Sequence, residues 1–285
     1  TSPVTINALP TVSITGSSTI CVAATTTLSP TTGGSWASSN TAIATVTNAG
    51  LVTGVAAGTA TFTFTQTSTG CSRTTSAVTI NALPVVAAPA SVCIGTPGTL
   101  SPTTNGTWVS SNTAIATVTN AGVITGVSAG SVTFTYTRTS TGCFATTSSV
   151  AINALPTDVA ASAASSSICT GSSTNIVIAS SQAGVNYQLR NNSGNVLVGS
   201  AVAGTGGSIN LPTGNLTSAT TFNILATSSA GCSRQLSSLV TVSMDNIAPV
   251  LTCPGNQTVN LNASCTAVMP DYTSMVTLSD NCTAT

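Results

Sequence analysis

Apolar residues and hydroxyl residues alternate along most of this chain. The clearest example is Gly58–Gln66, in which apolar side chains alternate with threonines, and the pattern returns 72 residues later at Val132, Phe134 and Tyr136. A period of two places successive side chains on opposite faces of a β-strand. Threonine suits the wet face because it is β-branched and stays hydrated without charge. The alternation therefore predicts half-buried strands, and no segment has a helical period.

Turn signals divide the first repeat into about seven short strands. A three-residue hairpin loop is predicted at Asn48–Gly50, where glycine supplies the left-handed position. The predicted strands are Thr11–Thr15, Thr19–Leu28, Gly34–Ser39, Ala44–Thr47, Leu51–Val55, Thr59–Gln66 and Thr74–Ile80. Seven short strands predict an immunoglobulin-like β-sandwich. The predicted fold class is all-β, with tandem immunoglobulin-like modules arranged end to end as an elongated rod.

The repeat period of 72 residues defines the predicted domains. The residues Cys21, Trp36 and Cys71 return as Cys93, Trp108 and Cys143. The hexapeptide TINALP occurs at Thr5–Pro10 and Thr79–Pro84, and AINALP at Ala151–Pro156, which makes NALP the predicted linker. The expected segments are a last strand of a preceding repeat (1–9), two Ig-like repeats (10–82 and 83–154), a third of another subtype (155–245) and a partial module (246–285).

Charge is nearly absent from the chain, which holds four arginines, four aspartates and no lysine, glutamate or histidine. Residues 1–157 contain no carboxylate side chain. General acid–base catalysis and calcium binding both need such groups, so we expect no enzyme activity, no cofactor and no metal. Four scattered arginines form no basic patch for nucleic acid. No run of about 18 apolar residues is present, so no transmembrane segment is predicted.

Nine cysteines occur at regular places, which indicates disulfides rather than a zinc site, since no histidine or CxxC pair accompanies them. The predicted pairs are Cys21–Cys71, Cys93–Cys143 and Cys169–Cys232. The pairing of Cys253, Cys265 and Cys282 is left open, because these three belong to the incomplete last module. Disulfides persist in oxidising compartments, so the expected location is extracellular.

Four aromatic residues and two aspartates are the remaining candidates for a site. Trp36, Trp108, Tyr136 and Tyr187 could stack on sugars, but packing inside a sandwich is the favoured interpretation. Two aspartates of the last module, Asp271 and Asp280, could ligate calcium. Capping of turns is favoured for them, because two carboxylates alone make a poor calcium site.

The stretches that begin at Trp36 and Trp108 share the pattern WxSSNxxIATVxxxGxVTGVxxGxxxxT, with small departures. This pattern resembles that of bacterial immunoglobulin-like group 2 (BIG2) domains. The third unit resembles another Ig-like repeat of long bacterial surface proteins. The segment from Ile247, with APVLTCPGNQTVNLNASCTAVMPDY and SDNC, resembles the start of a hyalin (HYR) repeat. The mixture is similar to giant Bacteroidota cell-surface and gliding adhesins that are secreted by the type IX system.

The function that these observations favour is a non-enzymatic stalk segment of a large secreted adhesin or surface filament on a bacterial cell surface. Its expected partners are neighbouring repeats of the same long chain, with surface polysaccharide, other cells, the secretion or motility machinery and lateral self-association into fibres as further candidates. The first alternative is a polysaccharide-binding module. The second is an accessory region of a secreted polymer-degrading enzyme.

Overall fold

A computed structural model describes residues 3–280 and 282 of the chain, and its regular secondary structure consists almost entirely of β-strands. Of the predicted segments 1–9 and 246–285, residues 1, 2, 281 and 283–285 lie outside the described part. The chain divides into two compact units, Thr1–Ala154 and Leu155–Thr285. The all-β prediction is confirmed, since the described residues contain a single three-residue 3₁₀ helix, Thr273–Met275, besides strands and loops.

The predicted segments 10–82, 83–154 and 155–245 are called the first, second and third modules below. The first of them contains ten strands, where seven were predicted. They are β1 (Ser13–Ile14), β2 (Thr19–Cys21), β3 (Thr25–Ser29), β4 (Gly34–Ser38), β5 (Ala44–Val46), β6 (Leu51–Gly54), β7 (Gly58–Ala60), β8 (Phe62–Gln66), β9 (Ser72–Thr74) and β10 (Val78–Asn81). The hydrogen-bonded orders are β1-β3-β6-β5, β2-β10-β7 and β4-β8-β9. The predicted strand Thr19–Leu28 is two strands, because Ala23 adopts a left-handed φ of 68° and turns the chain between β2 and β3.

The interior of the first module collects the apolar face of the alternating strands. Its buried residues are Ile20, Leu28, Trp36, Ala44, Val52, Ala60, Phe62, Phe64, Val78 and Ile80. The hydroxyl face stays wet and forms cross-strand contacts, as between the Oγ1 atoms of Thr63 and Thr74, 2.8 Å apart. Burial of the large apolar side chains is the main stabilising term, at about 1.5–3 kcal/mol for each.

The second module, residues 83–154, repeats most of this architecture. Its strands are β11 (Ser91–Cys93), β12 (Gly98–Thr99), β13 (Gly106–Ser110), β14 (Ala116–Val118), β15 (Val123–Gly126), β16 (Gly130–Val132), β17 (Phe134–Arg138), β18 (Phe144–Thr146) and β19 (Val150–Asn153). The orders are β11-β19-β16, β12-β15-β14 and β13-β17-β18. The core contains Trp108, Phe134 and Tyr136 at the positions of Trp36, Phe62 and Phe64.

The second unit contains the third module, residues 155–245, and the final segment, residues 246–285. The strands of the third module are β20 (Ala161–Ala163), β21 (Ser167–Ile168), β22 (Asn175–Ile178), β23 (Val185–Asn191), β24 (Val196–Leu197), β25 (Val202–Ala203), β26 (Ile209–Pro212), β27 (Thr220–Ser228), β28 (Ser233–Gln235) and β29 (Val240–Met244). One sheet has the order β20-β22-β26, and a larger one β21-β29-β27-β23-β24, with β25 on β23 and β28 on β27.

The third module has a core of its own around Tyr187, Leu189, Phe222 and Ile224. The final segment has only the antiparallel pair β30 (Val250–Thr252) and β31 (Thr277–Ser279), together with the 3₁₀ helix. None of its described residues is buried, so it has no apolar core among the described residues. Its likeness to a hyalin repeat stays a prediction.

Candidate functional site: a disulfide between consecutive modules

The first half of the candidate site is Cys21, the last residue of β2. This strand runs parallel to β10, the last strand of the module, with Cys21 opposite Asn81. The backbone N–H of Val22 donates to the carbonyl oxygen of Asn81 at 3.0 Å, and that of Ala23 donates to Gly54 at 2.9 Å. Because the chain leaves the module just after Asn81, Cys21 lies at the exit end of the first sandwich.

Cys71 lies at the opposite end of the same sandwich, in the hairpin between β8 and β9, where its carbonyl oxygen accepts a 3.0 Å hydrogen bond from the backbone N–H of Gln66. The exit end is marked by Gly58 at the start of β7, which pairs with Ile80. From Gly58 to Gln66 the extended chain covers roughly 25 Å at about 3.3 Å per residue. A disulfide requires Cα atoms within about 7 Å. The predicted pair Cys21–Cys71 is therefore wrong.

Cys21 is instead bonded to Cys143 of the second module, with a Cα–Cα distance of 5.7 Å and a sequence separation of 122. In the second unit, Cys169 is bonded to Cys282 of the final segment, with 5.3 Å between Cα atoms and a separation of 113.

These bonds also exclude the predicted pairs Cys93–Cys143 and Cys169–Cys232, because Cys143 and Cys169 already have other partners. Of the three cysteines whose pairing the sequence left open, Cys282 is bonded, while Cys253 and Cys265 are exposed thiols. Cys71 is a half-buried thiol.

The disulfide Cys21–Cys143 lies at a cleft between the first and second modules. The cleft has a volume of about 370 Å³ and is lined by Cys21, Val22, Ala23, Ala24, Leu83, Gly142 and Phe144. Cys143 is fully buried there, while the neighbouring Phe144 is 60% exposed. The lining is mostly apolar and carries no charged side chain, and the disulfide is the group there that can be oxidised or reduced.

The two tryptophans lie in the cores, as the sequence analysis favoured, and not on a sugar-binding surface. Trp36 is 6% exposed and Trp108 is 4% exposed. Their Nε1 atoms each donate a 2.8 Å hydrogen bond to a backbone carbonyl, of Pro30 and Pro102 respectively. A buried indole N–H that finds such a partner costs little to desolvate. Neither ring is open to a glycan.

The tyrosines are also buried. Tyr136 is 1% exposed, and its hydroxyl donates to the backbone carbonyl of Thr104. Tyr187 is completely buried, and its hydroxyl accepts a 2.8 Å hydrogen bond from the backbone N–H of Gln182. Strand packing, the favoured interpretation, is therefore confirmed for both residues.

The two aspartates of the final segment cap turns, as favoured over calcium binding. Oδ1 of Asp271 accepts the backbone N–H of Thr273 at 2.9 Å, and Oδ1 of Asp280 accepts that of Cys282 at 3.0 Å. The hydrogen bonds from the backbone and hydroxyl of Thr273 lower the pKa of Asp271 below its ordinary value, against a smaller opposing effect of desolvation. Within residues 3–280 and 282, no three or more His, Cys, Asp or Glu side chains cluster as metal ligands would.

A third aspartate, Asp158, was not singled out from the sequence. Its Oδ1 accepts the backbone N–H of Ser237 at 3.0 Å. That bond and the Ser237 hydroxyl lower the pKa of Asp158 against the opposing effect of desolvation, and the positive charge of Arg234 lowers it further. The signal available in the sequence was its position as the first carboxylate after Pro156, where the chain enters the third module.

The free energy of unfolding is expected to stay constant between pH 5 and 8. The chain has no histidine, and the groups with shifted pKa are Asp158 and Asp271, whose ordinary value is 3.8. A folded-state pKa below the unfolded one contributes stability above the unfolded pKa and loses it as pH falls through the folded pKa. Urea midpoints measured at unit steps of pH should therefore decline only below about 3.8. A decline that sets in above pH 5 would contradict this.

None of the described helices is both long and apolar enough to span a membrane.

The family model described as "Bacterial Ig-like domain (group 2)" matches the chain twice, at residues 2–78 and 84–149. No curated protein matches the chain.

The solved structures to which the chain is similar include a surface layer protein, a titin tandem and an intimin fragment. Surface layer protein SbsC, domains 1–6, is 10% identical over 94% of this chain, with a TM-score of 0.26, and the match spans 45% of that structure. The I9–I11 tandem of titin is 10% identical over 79% of this chain and 94% of its own length, with a TM-score of 0.28. A C-terminal fragment of intimin, solved with the intimin-binding domain of its translocated receptor, is 16% identical over 48% of this chain and 62% of its own, with a TM-score of 0.32.

Proposed function

We propose a load-bearing structural role for this chain, which belongs to the bacterial Ig-like domain (group 2) family. In this proposal the chain is a non-catalytic stalk segment of a large secreted adhesin or surface filament on a bacterial cell. The observation that carries the proposal is the disulfide Cys21–Cys143, which joins one Ig-like module to the next. A bond inside a single sandwich would stabilise that module alone. This bond adds a second covalent connection between the two modules, besides the polypeptide chain that links them.

The disulfide changes the path that a pulling force takes through the first unit. Without it, tension passes from the first module to the second through the short NALP linker, and each sandwich can be pulled open in turn. With it, tension that reaches Cys21 can pass directly to Cys143. The residues between the two cysteines then stay slack, because a covalent bond does not extend when a sheet unfolds.

The surface of the modules suits an extracellular location. The chain carries only four basic and four acidic residues, and hydroxyl pairs such as Thr135 and Thr146, with Oγ1 atoms 2.9 Å apart, cover the outer strands. Interactions between charges weaken with salt, so a nearly uncharged surface behaves alike in fresh and saline water. Trypsin-like proteases also find few cleavage sites, because the chain has four arginines and no lysine.

The alternative of a polysaccharide-binding module loses the aromatic platforms on which it depended. Trp108 and Tyr187, two of the four residues offered for stacking on sugars, are 4% and 0% exposed. The other alternative, an accessory region of a secreted polymer-degrading enzyme, stays a prediction from sequence. No feature of the described residues favours either over the stalk.

Single-molecule force extension tests the stalk directly. Pulled from its two ends, the oxidised chain is expected to have a fully unfolded length at least about 400 Å shorter than the reduced chain. The reason is that 122 positions separate the bonded cysteines, and each residue adds about 3.3–3.6 Å when extended. The measurement compares the final contour length with and without reductant.

Two serine variants provide a matched pair for this experiment. Cys143→Ser should lengthen the oxidised chain, since it removes the bond to Cys21. Cys71→Ser should leave its length unchanged, since Cys71 is a thiol. A longer chain with Cys71→Ser and an unchanged one with Cys143→Ser would contradict the proposal, because the bond would then lie within one module.

The finer assignment, a gliding-motility adhesin exported by a type IX system, stays a prediction from sequence resemblance. It is tested by deleting the gene in the source bacterium and measuring surface attachment and gliding. A strain that adheres and glides like its parent would contradict the adhesin assignment while leaving the mechanical test of the segment intact.

A further inference from the structure

Both disulfides described above follow one rule of position. In each case the first cysteine ends or directly follows a strand that runs parallel to the last strand of its module. Cys21 ends β2, which pairs with β10, and Cys169 follows β21, which pairs with β29. The second cysteine belongs to the segment that comes next along the chain, Cys143 in one case and Cys282 in the other. The bonds therefore join consecutive segments in the same direction.

Cys71 occupies the same local structure as the bonded Cys143, one repeat earlier. The backbone N–H of Cys71 donates to Oγ1 of Thr69 at 3.3 Å, and that of Cys143 donates to Oγ1 of Thr141 at the same distance. The carbonyl oxygens of the two cysteines each close the hairpin, accepting from the backbone N–H of Gln66 and Arg138. The difference is that Cys143 is bonded to the preceding module, whereas Cys71 is a half-buried thiol.

Residues 4–7, ahead of the first module, have the same sequence as strand β10 but do not form a strand. Thr5–Pro10 has the same sequence as Thr79–Pro84, which begins inside β10. The apolar residues of the early copy are exposed, Val4 by 88% and Ile6 by 92%. Their counterparts in β10, Val78 and Ile80, are exposed by 0% and 2%. In β10 this sequence is buried and pairs with β2, the strand that ends at Cys21. At residues 4–7 no described strand pairs with it.

We propose that Cys71 is an inter-module disulfide site whose partner is a cysteine of an Ig-like module preceding residue 10 in the same polypeptide. The partner ends the strand that pairs in parallel with residues 5–7, as Cys21 does for β10. Cys21 lies 60 positions before its opposite residue Asn81, and Cys93 lies 60 before Asn153. The expected cysteine therefore lies about 60 residues before Asn7. The proposal concerns connectivity alone and does not depend on the proposed role at the cell surface.

The bond forms by oxidation of two thiols. An external protein disulfide of the oxidising compartment accepts two electrons and two protons and becomes a dithiol, while the two sulfur atoms join. The thiol of Cys71 is half-buried and sits in a hairpin that already has the bonded conformation seen at Cys143. The hairpin therefore needs little reorganisation to form a disulfide with the partner cysteine.

The test extends the full chain by one module. A copy of residues 11–77 is joined directly to Val4, so that residues 4–7 become the last strand of the added sandwich. The copy carries Cys71→Ser, which leaves a single Cys71 in the protein. Trypsin cleaves after the copied Arg73 and after the original one, so that the copied Cys21 and the original Cys71 fall in different peptides.

The expected result is a disulfide-linked species that contains both peptides, stays together without reductant and separates on adding a thiol reductant. Peptide 139–190 is attached to it as well, through the bond between the original Cys21 and Cys143. Alkylation of Cys71 should be at least tenfold lower than in the 285-residue chain. The matched control replaces the copied Cys21 with serine and should restore alkylation of Cys71. The bond Cys21–Cys143 in the same molecules reports that the original modules have folded. Full alkylation of Cys71 in the extended chain, or a Cys71–Cys71 bond between two chains, would overturn the proposal.

Discussion

Replacing Cys143 with serine is expected to lower the free energy of unfolding of the first unit by about 4–5 kcal/mol. The disulfide closes a loop of 122 positions, and in the chain-entropy model a loop of about 100 residues restricts the unfolded chain by about 4.7 kcal/mol. Because the loop includes most of both modules, the loss should affect both. Urea unfolding followed by tryptophan fluorescence measures it, since Trp36 and Trp108 lie in different modules.

The control for this experiment is Cys71→Ser. Cys71 has the same place in its hairpin as Cys143 but forms no disulfide in this chain, so its replacement should change the free energy of unfolding by no more than about 0.5 kcal/mol. Equal destabilisation by the two serine variants would mean that Cys71 is bonded, and it would contradict the assignment of Cys143 as the partner of Cys21.

Replacing Trp108 with alanine is the second change with a large expected effect, about 3–5 kcal/mol on the second module. The indole is 4% exposed and faces Tyr136 on the neighbouring strand, with ring centroids 5.1 Å apart. Alanine leaves a cavity, and it also leaves the carbonyl oxygen of Pro102 without the indole N–H that it accepts. Chemical denaturation monitored by circular dichroism measures the change.

The neighbouring residue Val109 provides the matched control, because it lies on the same strand but points to the other face and is 62% exposed. Val109→Ala should change the free energy of unfolding by no more than about 0.5 kcal/mol. If Trp108→Ala were as mild as Val109→Ala, then Trp108 would not be a core residue, and a role on the surface would have to be reconsidered.

The alternating pattern was sufficient to predict the strands and the cores. The threonines of Thr59–Gln66 mark one face, and Phe62 and Phe64 mark the other, which is buried at 0% and 2% exposure. Such a pattern reports directly on the side-chain geometry of a strand, since the period of two is a property of the backbone. The burial of Trp36 and Trp108 follows from the same reasoning, because a sandwich of this size needs a large ring between its sheets.

The disulfide pairing could not be read from cysteine spacing, because the repeat makes two spacings equally regular. A cysteine at position 21 that recurs at 93, and one at 71 that recurs at 143, give a separation of 50 within a repeat. The same positions give 122 between neighbouring repeats, which is the separation in the structure. Periodicity alone does not distinguish pairing within a repeat from pairing between neighbouring repeats. The pairing depends on the end of the sandwich at which each cysteine lies.

The feature that decides the pairing is the turn at Ala23. The sequence predicted one strand over Thr19–Leu28, but the left-handed φ of 68° at Ala23 divides it between two sheets. Strand β2 then runs parallel to β10, and Cys21 comes to the exit end beside Asn81. Alanine has no special preference for a positive φ, so the sequence carried no signal for this turn.

The disulfides described above connect consecutive segments of the chain, whereas the sequence predicted disulfides inside each module. Two separate bonds support this, Cys21–Cys143 in the first unit and Cys169–Cys282 in the second. A series of modules connected in this way is suited to transmit load through its disulfides while each sandwich keeps its own core.

Tryptic mapping of the oxidised chain without reductant shows which cysteines are bonded to each other. Trypsin cleaves after Arg73 and Arg138, so Cys21 and Cys71 fall in the peptide 1–73 and Cys143 falls in 139–190. Peptides 1–73 and 139–190 are expected to be joined through Cys21 and Cys143, with Cys71 open to alkylation. A peptide 1–73 closed on itself by a bond between Cys21 and Cys71 would contradict this pairing.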